Sequence, residues 1–357
     1  MLDAAFSKAL GAFELTVEMT AEAGQTLVLV GESGAGKSTI LNVLAGLVHP
    51  DRGTIRLDAT RYFSSEDGIA VPPESRDIGY VFQDYALFPH LSVFENAAFG
   101  LRAQGRHPAE VSRRVDGILR QLGVQDLAGR RPSSLSGGQL QRIALARALV
   151  LTPRVLLLDE PMSALDLGTR SVVRGELRRV LAALRCITIL VTHHPLDAVV
   201  FGDRIAVVEG GKFAQVGTRE ELLRRPRSRY VADLMGLNFF SGRIARREPP
   251  GLVEIETGDG TLRIVDPGGE DEIFVAVDPR EITLHSGPPA GTAQNVFRGR
   301  ILELVPEPPL GERIRAVLAT RPRLVAEITA HAVRTLGLRE GTEVYASFKA
   351  TAAKGYR

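Results

Sequence analysis

At 357 residues the chain is long for one domain and sufficient for two or three, and its 44% apolar and 24% charged residues exclude a disordered polymer in favour of a globular fold with a sizeable core. Lys and Arg outnumber Asp and Glu by only 44 to 42, so bulk charge offers nucleic acid no attraction and any anion recognition must be local. The single cysteine, Cys186, excludes an intramolecular disulfide framework, and no stretch reaches the roughly 18 continuous apolar residues of a membrane span.

The first informative element is the apolar run TLVLV (26–30), which reads as a buried strand. It leads into GESGAGKST and then into the helical pattern ILNVLAGL. Gly31, Gly36, Lys37 and Ser38 satisfy G-x-x-x-x-G-K-[ST] between a strand and a helix, the context in which that pattern has a mechanism. Glu32, Ser33, Gly34 and Ala35 complete the loop. Its glycines let successive backbone N–H groups face one centre at a helix N-terminus, where the helix dipole also favours negative charge. A polyphosphate fits there, with Lys37 reaching the β- and γ-phosphates and the hydroxyl of Ser38, joined by Thr39, facing a bridging Mg²⁺.

Four further apolar runs, DIGYVF (77–82), RVLLLD (154–159), CITILVT (186–192) and RIAVVEGG (204–211), predict a mostly parallel α/β sheet with helical crossovers. Cys186 enters one of them as a small core residue. Residues 84–150 carry helical patterns, among them PAEVSRRVDGILRQLG and GGQLQRIALARALV, and predict an inserted helical subdomain. Leu135, Ser136, Gly137, Gly138 and Gln139 open the second of these, with Ser136 as N-cap and two glycines exposing amides, which makes a second phosphate-binding helix start. RVLLLDE ends its strand on Asp159, placed for a metal shell, and on Glu160, placed to polarise an attacking water.

Gly31 to Ser38, Gln83 in VFQD, Leu135 to Gln139, Asp159 with Glu160, SALD (163–166) and His193 in VTHH follow the order and spacing of an ABC-transporter ATPase subunit. Residues 1–237 are identified as a member of that P-loop NTPase family on those motifs. The resemblance implies a head-to-tail homodimer using ATP and Mg²⁺, in which the P-loop of one chain faces Ser136 to Gln139 of the other. It implies catalytic roles for Glu160, His193 and Gln83, a metal shell from Ser38, Gln83 and Asp159, and a dimer contact at Asp166. Two departures stand out: His194 occupies the place of an Asp that commonly follows the switch histidine, and Leu10 the place of an aromatic that stacks on adenine, leaving Phe6 or Phe13 as substitutes. The stretch YALFPHLSVFENAAFGL (85–101) resembles the segment with which importer ATPases receive a permease helix, Phe88 and Phe94 lining the groove. The chain is thus expected peripherally on the cytoplasmic face of the inner membrane, with two permease subunits and, indirectly, an extracytoplasmic substrate-binding protein, and without nucleic acid.

From Asn238 the runs FSGRIARR, GLVEIET, TLRIVD, EIFVAVD and REITLH alternate and break at Gly, Pro and Asp, which is an all-β pattern. SGPPAGTAQN (286–295) reads as a hinge, making 238–290 a β-rich connecting segment and 291–357 a small OB-like barrel. Residues 292–354 resemble the molybdate-binding barrel of some molybdate importer ATPases. That resemblance implies a regulatory oxyanion site from Thr292, Gln294 and Asn295 with Lys349, Ala350 and Thr351, and feedback inhibition through it. Gln294 stands where that barrel has Arg, which trades a hydrogen bond of about 1.5–3 kcal/mol for one of about 0.5–1.5 kcal/mol. The expectation is the ATPase of a molybdate or tungstate importer. A sulfate, ferric iron or polyamine importer is the alternative cargo, and a soluble non-transport ABC ATPase the rival class.

Overall fold

In the computed structural model, which describes residues 1–11, 13–163, 165, 167–249, 251–269, 272–307 and 311–357, TLVLV forms the strand Thr26–Gly31, buried along its whole length. It lies third in a sheet ordered Lys212–Gly217, Arg204–Glu209, Thr26–Gly31, Ile187–Thr192, Val155–Asp159, Ile78–Val81. Neighbours are parallel except the first two, where the chain turns straight back. Val155–Asp159 and Ile187–Thr192 are buried throughout as well, because a parallel sheet is covered on both faces and its strands read as continuous apolar runs.

Part of that cover is a second sheet, whose strands alternate and carry no continuous apolar run. It is antiparallel, in the order Glu14–Ala21, Leu2–Ala9, Arg52–Leu57, Thr60–Ser64, Ile69–Ala70. ELTVEMTA buries Leu15, Val17, Met19 and Ala21 and exposes the residues between them, the period-two signature of a sheet wet on one face. The helix Lys37–Ala45 contributes Ile40, Leu41, Val43 and Leu44 to the core that both sheets share.

The expected helical subdomain is present as Val93–Ala103, Pro108–Gln121 and Gly137–Leu149. Ser92 and Glu95 close a capping box at the first of these. One turn on, the fully buried Asn96 donates to the carbonyls of Phe88, Leu91 and Ser92 at 3.1, 3.2 and 3.0 Å and accepts the Phe88 N–H at 2.8 Å. No helix among the described residues is long and apolar enough to cross a membrane.

The chain divides into the units Met1–Arg219 and Glu220–Arg357, so the division falls before residue 237. In the second unit the all-β expectation holds, and its two sheets interleave across residue 290. One sheet runs Gly260–Val265, Leu252–Thr257, Asn238–Glu248, Ile273–Val277, Ala353–Tyr356, and the other Thr283–His285, Glu343–Phe348, Asn295–Pro306, Arg313–Leu318, Leu324–Thr329. The last strand of the chain therefore closes the sheet built by 238–277, while Thr283–His285 edges the sheet built by 295–348. Ile255, Ile264 and Val275 share one core with Ile301, Leu318 and Phe348. Buried Asn238 binds the Val325 backbone in both directions, accepting its N–H at 2.7 Å and donating to its carbonyl at 2.9 Å. Residues 286–295 connect Thr283–His285 to Asn295–Pro306 within the second of these sheets.

Candidate nucleotide site

Four of the stretches singled out above meet where the parallel strands end. The Gly31–Gly36 loop follows Thr26–Gly31, Gln83 follows Ile78–Val81, Glu160 follows Val155–Asp159, and His193 follows Ile187–Thr192. The carboxyl edge of an open α/β sheet gathers loops and helix N-termini, and ligands bind there for that reason. A cleft of about 630 Å³ is lined there by Ser33, Gly34, Gly36, Lys37, Ser38 and Thr39 with Gln83, Glu160, His193, Leu10 and Phe13.

Backbone geometry explains the glycines. Gly36 caps the Lys37–Ala45 helix with φ +97°, a left-handed conformation that any side chain would strain. A Cβ on Gly31 would stand 2.2 Å from the Val208 carbonyl oxygen, so only glycine lets the two strands run side by side into the loop. Lys37 is 6% exposed, and its Nζ donates to the carbonyls of Gly31 and Glu32 at 2.8 and 2.7 Å. Burial lowers its pKa, opposed by the nearby carboxylates of Glu160 and Asp159.

The adjacent carboxylates point to different partners. Asp159 accepts the Ser38 hydroxyl at 3.0 Å, and the Tyr80 hydroxyl, which donates to Asn42 Oδ1 at 3.0 Å, lies 3.4 Å from its other oxygen. Burial pushes the Asp159 carboxyl above its ordinary pKa, and the charge of Glu160 adds to this, against the pull of Ser38, Tyr80 and Lys37. Burial likewise drives the Tyr80 phenol upward, so it is a fixed neutral donor. Glu160 takes φ +44°, a left-handed conformation costing about 1–3 kcal/mol in a non-glycine residue. Its N–H is held by the Val191 carbonyl at 3.0 Å, and its Oε2 lies 3.0 Å from His193 Nδ1. Neither Tyr80 nor Asn42 is among the expected site residues, although Asn42 sits one helical turn beyond Ser38, on the same face.

The turn after His193 is fastened without an aspartate at 194. Thr192 Oγ1 accepts the His194 N–H at 3.0 Å and donates to Asp197 at 3.2 Å, and buried Asp197 accepts from Arg174 at 2.7 Å. The His194 ring accepts from Arg170 through Nε2. Of the two proposed adenine platforms, Phe6 is in the core at 4% exposure and is excluded; Phe13 and Leu10 are the ones at the cleft.

Ser136 caps Gly137–Leu149 as expected, in a capping box with Gln139. None of Leu135 to Gln139 lines the cleft. Asp166 lies outside the described residues. Beyond Gln83 the chain passes through left-handed Tyr85 and Ala86, whose carbonyls accept from Arg147 at 2.8 and 2.5 Å. Phe88 and Phe94 are half-buried there, and Phe99, its ring tilted against Phe88 with centroids 4.6 Å apart, is exposed.

In the tail, Asn295 pairs with Phe348 across two strands, so the 292–295 and 349–351 segments are neighbours. Lys349 and Thr351 line a cleft of about 260 Å³ that also carries Lys354, Asp278 and Glu281. Thr292 and Gln294 are exposed. The expected role of Asn295 needs correction: its buried amide is spent on the Arg263 backbone, accepting the N–H at 2.8 Å and donating to the carbonyl at 2.7 Å. Ala350 is buried and offers only backbone.

A glycine-capped loop with its buried lysine, a serine hydroxyl on a strand-end aspartate, and a glutamate facing a histidine define a P-loop nucleotide-binding protein. The ABC transporter family model matches residues 15–163, and the TOBE domain model matches 291–354. The chain is 38% identical over 331 residues to the molybdate/tungstate import ATP-binding protein WtpC of Pyrococcus horikoshii, covering 92% of this chain and 91% of that one. It is 37% identical over 344 residues to the molybdenum import ATP-binding protein ModC of Mycobacterium tuberculosis, covering 94% and 92%. The putrescine transport ATP-binding protein PotG of Escherichia coli is 40% identical over 282 residues, 77% of this chain and 72% of that one. Among solved structures, the dimeric bacterial ABC transporter cassette MJ0796 superposes with a TM-score of 0.52 at 28% identity, over 61% of this chain and 98% of the cassette. The chain belongs to the ATP-binding proteins of ABC transporters and is a transport ATPase, as its motifs implied.

Proposed function

We propose that this chain is the ATPase subunit of an importer of molybdate or tungstate, working as a homodimer beneath two permease subunits at the cytoplasmic face of the membrane. The observation behind the ATPase reading is the convergence of Lys37, the Ser38–Asp159 pair and the Glu160–His193 pair on one cleft. Support for the cargo comes from relatives named for molybdate and tungstate, which cover 92% and 94% of this chain, whereas those named for polyamines cover 68–84% of it at similar identity.

A polyphosphate entering the loop takes over the Lys37 ammonium from the Gly31 and Glu32 carbonyls and gains the loop amides. The hydroxyl of Ser38, the carboxylate of Asp159 and the amide oxygen of Gln83 are hard oxygen donors and fit Mg²⁺, which when bound supplies charge neutralisation between the phosphates. Glu160 accepts a proton from the water whose oxygen attacks the γ-phosphorus, ADP being the leaving group. His193 holds the Glu160 carboxylate in place and presents its other ring edge toward the γ-phosphate. Ser136 to Gln139 lie outside the cleft of their own chain and serve the cleft of the second copy.

Lys349 and Thr351 leave a regulatory oxyanion site in the tail as part of this reading, with Thr292 and Gln294 as exposed donors. The test is ATP hydrolysis by the transporter reconstituted with its permease and binding protein. Molybdate- or tungstate-loaded binding protein should stimulate hydrolysis, and free molybdate on the ATPase side should lower it in wild type but not in Lys349→Ala. Stimulation by putrescine alone would replace the cargo, and indifference to free molybdate would leave the tail a structural domain.

A further inference from the structure

We propose that neutral His194 is a positioning residue for His193, holding the turn through Arg170, so that protonation of His194 loosens the turn and lowers ATP hydrolysis in mild acid. The proposal rests on the roles given above to Glu160 and His193.

A guanidinium is always cationic and only donates, so His194 Nε2 can accept from Arg170 only as a bare lone pair, with the ring proton on Nδ1 and no net charge. Protonating the ring would put two cations at hydrogen-bonding distance. Arg170 has little freedom to withdraw, since it also donates to the Leu165 carbonyl at 3.2 Å and its Nε is buried with no hydrogen-bond partner among the described residues.

Among the described residues, the groups facing His194 do not compensate. Arg170 and Arg174 approach from the Leu167–Ala183 helix, and His193 from its own turn with Glu160 behind it. Asp197 comes from the Pro195–Phe201 helix, but its oxygens already serve Arg174 and Thr192. Burial is the largest influence on His194 and, with Arg170 and His193, holds its pKa below the ordinary 6.5. The sign follows: the turn keeps its full stability above about pH 6.5 and loses it as pH falls, because a released ring takes up a proton at its ordinary value. The His193 and His194 rings are 4.3 Å apart, so a displaced His194 carries His193 away from Glu160.

The test is the pH profile of hydrolysis by the intact transporter from about pH 5 to 8, for wild type, His194→Asn and His194→Asp. Below its midpoint wild type should lose about tenfold per pH unit, the behaviour of a single titrating group. His194→Asn, which cannot charge, and His194→Asp, which pairs with Arg170, should hold their neutral-pH rates to within about twofold over the same range. NMR titration of the His194 ring in the full chain should show its midpoint rising in Arg170→Leu. Superposed pH profiles, or an unmoved midpoint, would overturn the proposal. Glu160→Gln measured alongside separates the two readings: wild-type turnover there sinks the catalytic roles, whereas an inactive Glu160→Gln with superposed profiles sinks the His194 proposal alone.

Discussion

At the scale of single residues, Asp159 and Glu160 show how one peptide bond separates two tasks. Asp159 ends a strand buried on both faces and is held by Ser38 and Tyr80, whereas the left-handed backbone of Glu160 turns its side chain out toward His193. Glu160→Gln keeps the shape and removes the base, so hydrolysis should fall by about 10²- to 10⁴-fold while ATP still binds. Steady-state turnover beside nucleotide-binding affinity checks this, and near wild-type turnover would take Glu160 out of the mechanism. The order of residues made both carboxylates visible, because consecutive acids at the end of an apolar strand have few other reasons to be there. Tyr80 stayed hidden: a tyrosine in a strand reads as core until Asn42 and Asp159 are found around its hydroxyl.

At the scale of elements, the segment after Gln83 is irregular yet held at both ends. Arg147 gathers the carbonyls of Tyr85 and Ala86 and lies 5.7 Å over the Phe88 ring, and Asn96 satisfies four backbone groups from Phe88 to Ser92. Asn96→Ala takes the side-chain partner from the Phe88 N–H and the Leu91 carbonyl, at a cost of about 1–3 kcal/mol for each one that water cannot reach, whereas the Phe88 and Ser92 carbonyls keep the N–H groups of Leu91 and residue 96. Exchange of the Phe88 amide should quicken, and permease-stimulated hydrolysis should fall more than basal hydrolysis. Unchanged Phe88 protection would show that Asn96 is not the fastener. The helices of this region were legible from their period, but the loop's fastening was not, since Asn96 looks like one more polar residue in an amphipathic helix.

At the scale of the whole molecule, the cleft of one chain lacks the Ser136 to Gln139 helix start, which is capped and accessible elsewhere. A composite site made by two copies would unite them, as isologous pairing builds two equivalent sites. Mixed Lys37→Ala and Ser136→Arg subunits then form one site with both defects and one with neither. Tagged heterodimers should recover hydrolysis that neither homodimer shows. No recovery would mean that the site is not composite or that both sites must fire together.

The sequence by itself determined the nucleotide chemistry, because a P-loop is local: Gly31, Gly36, Lys37 and Ser38 act through the backbone conformation and helix start that they themselves create. It determined the parallel sheet for a similar reason, burial on both faces leaving unbroken apolar runs. Pairing over long separations was decided only in three dimensions. The alternating strands Leu2–Ala9 and Glu14–Ala21 resemble amphipathic surface until a core is placed beneath them, and Ala353–Tyr356 closes a sheet begun more than a hundred residues earlier. Asn295 is the sharpest case. Its type and position suggested an anion donor, and only the tertiary structure shows both ends of its amide bound to Arg263. A side chain's chemistry is written in its own residue, but which partner uses it depends on chain segments that meet only on folding.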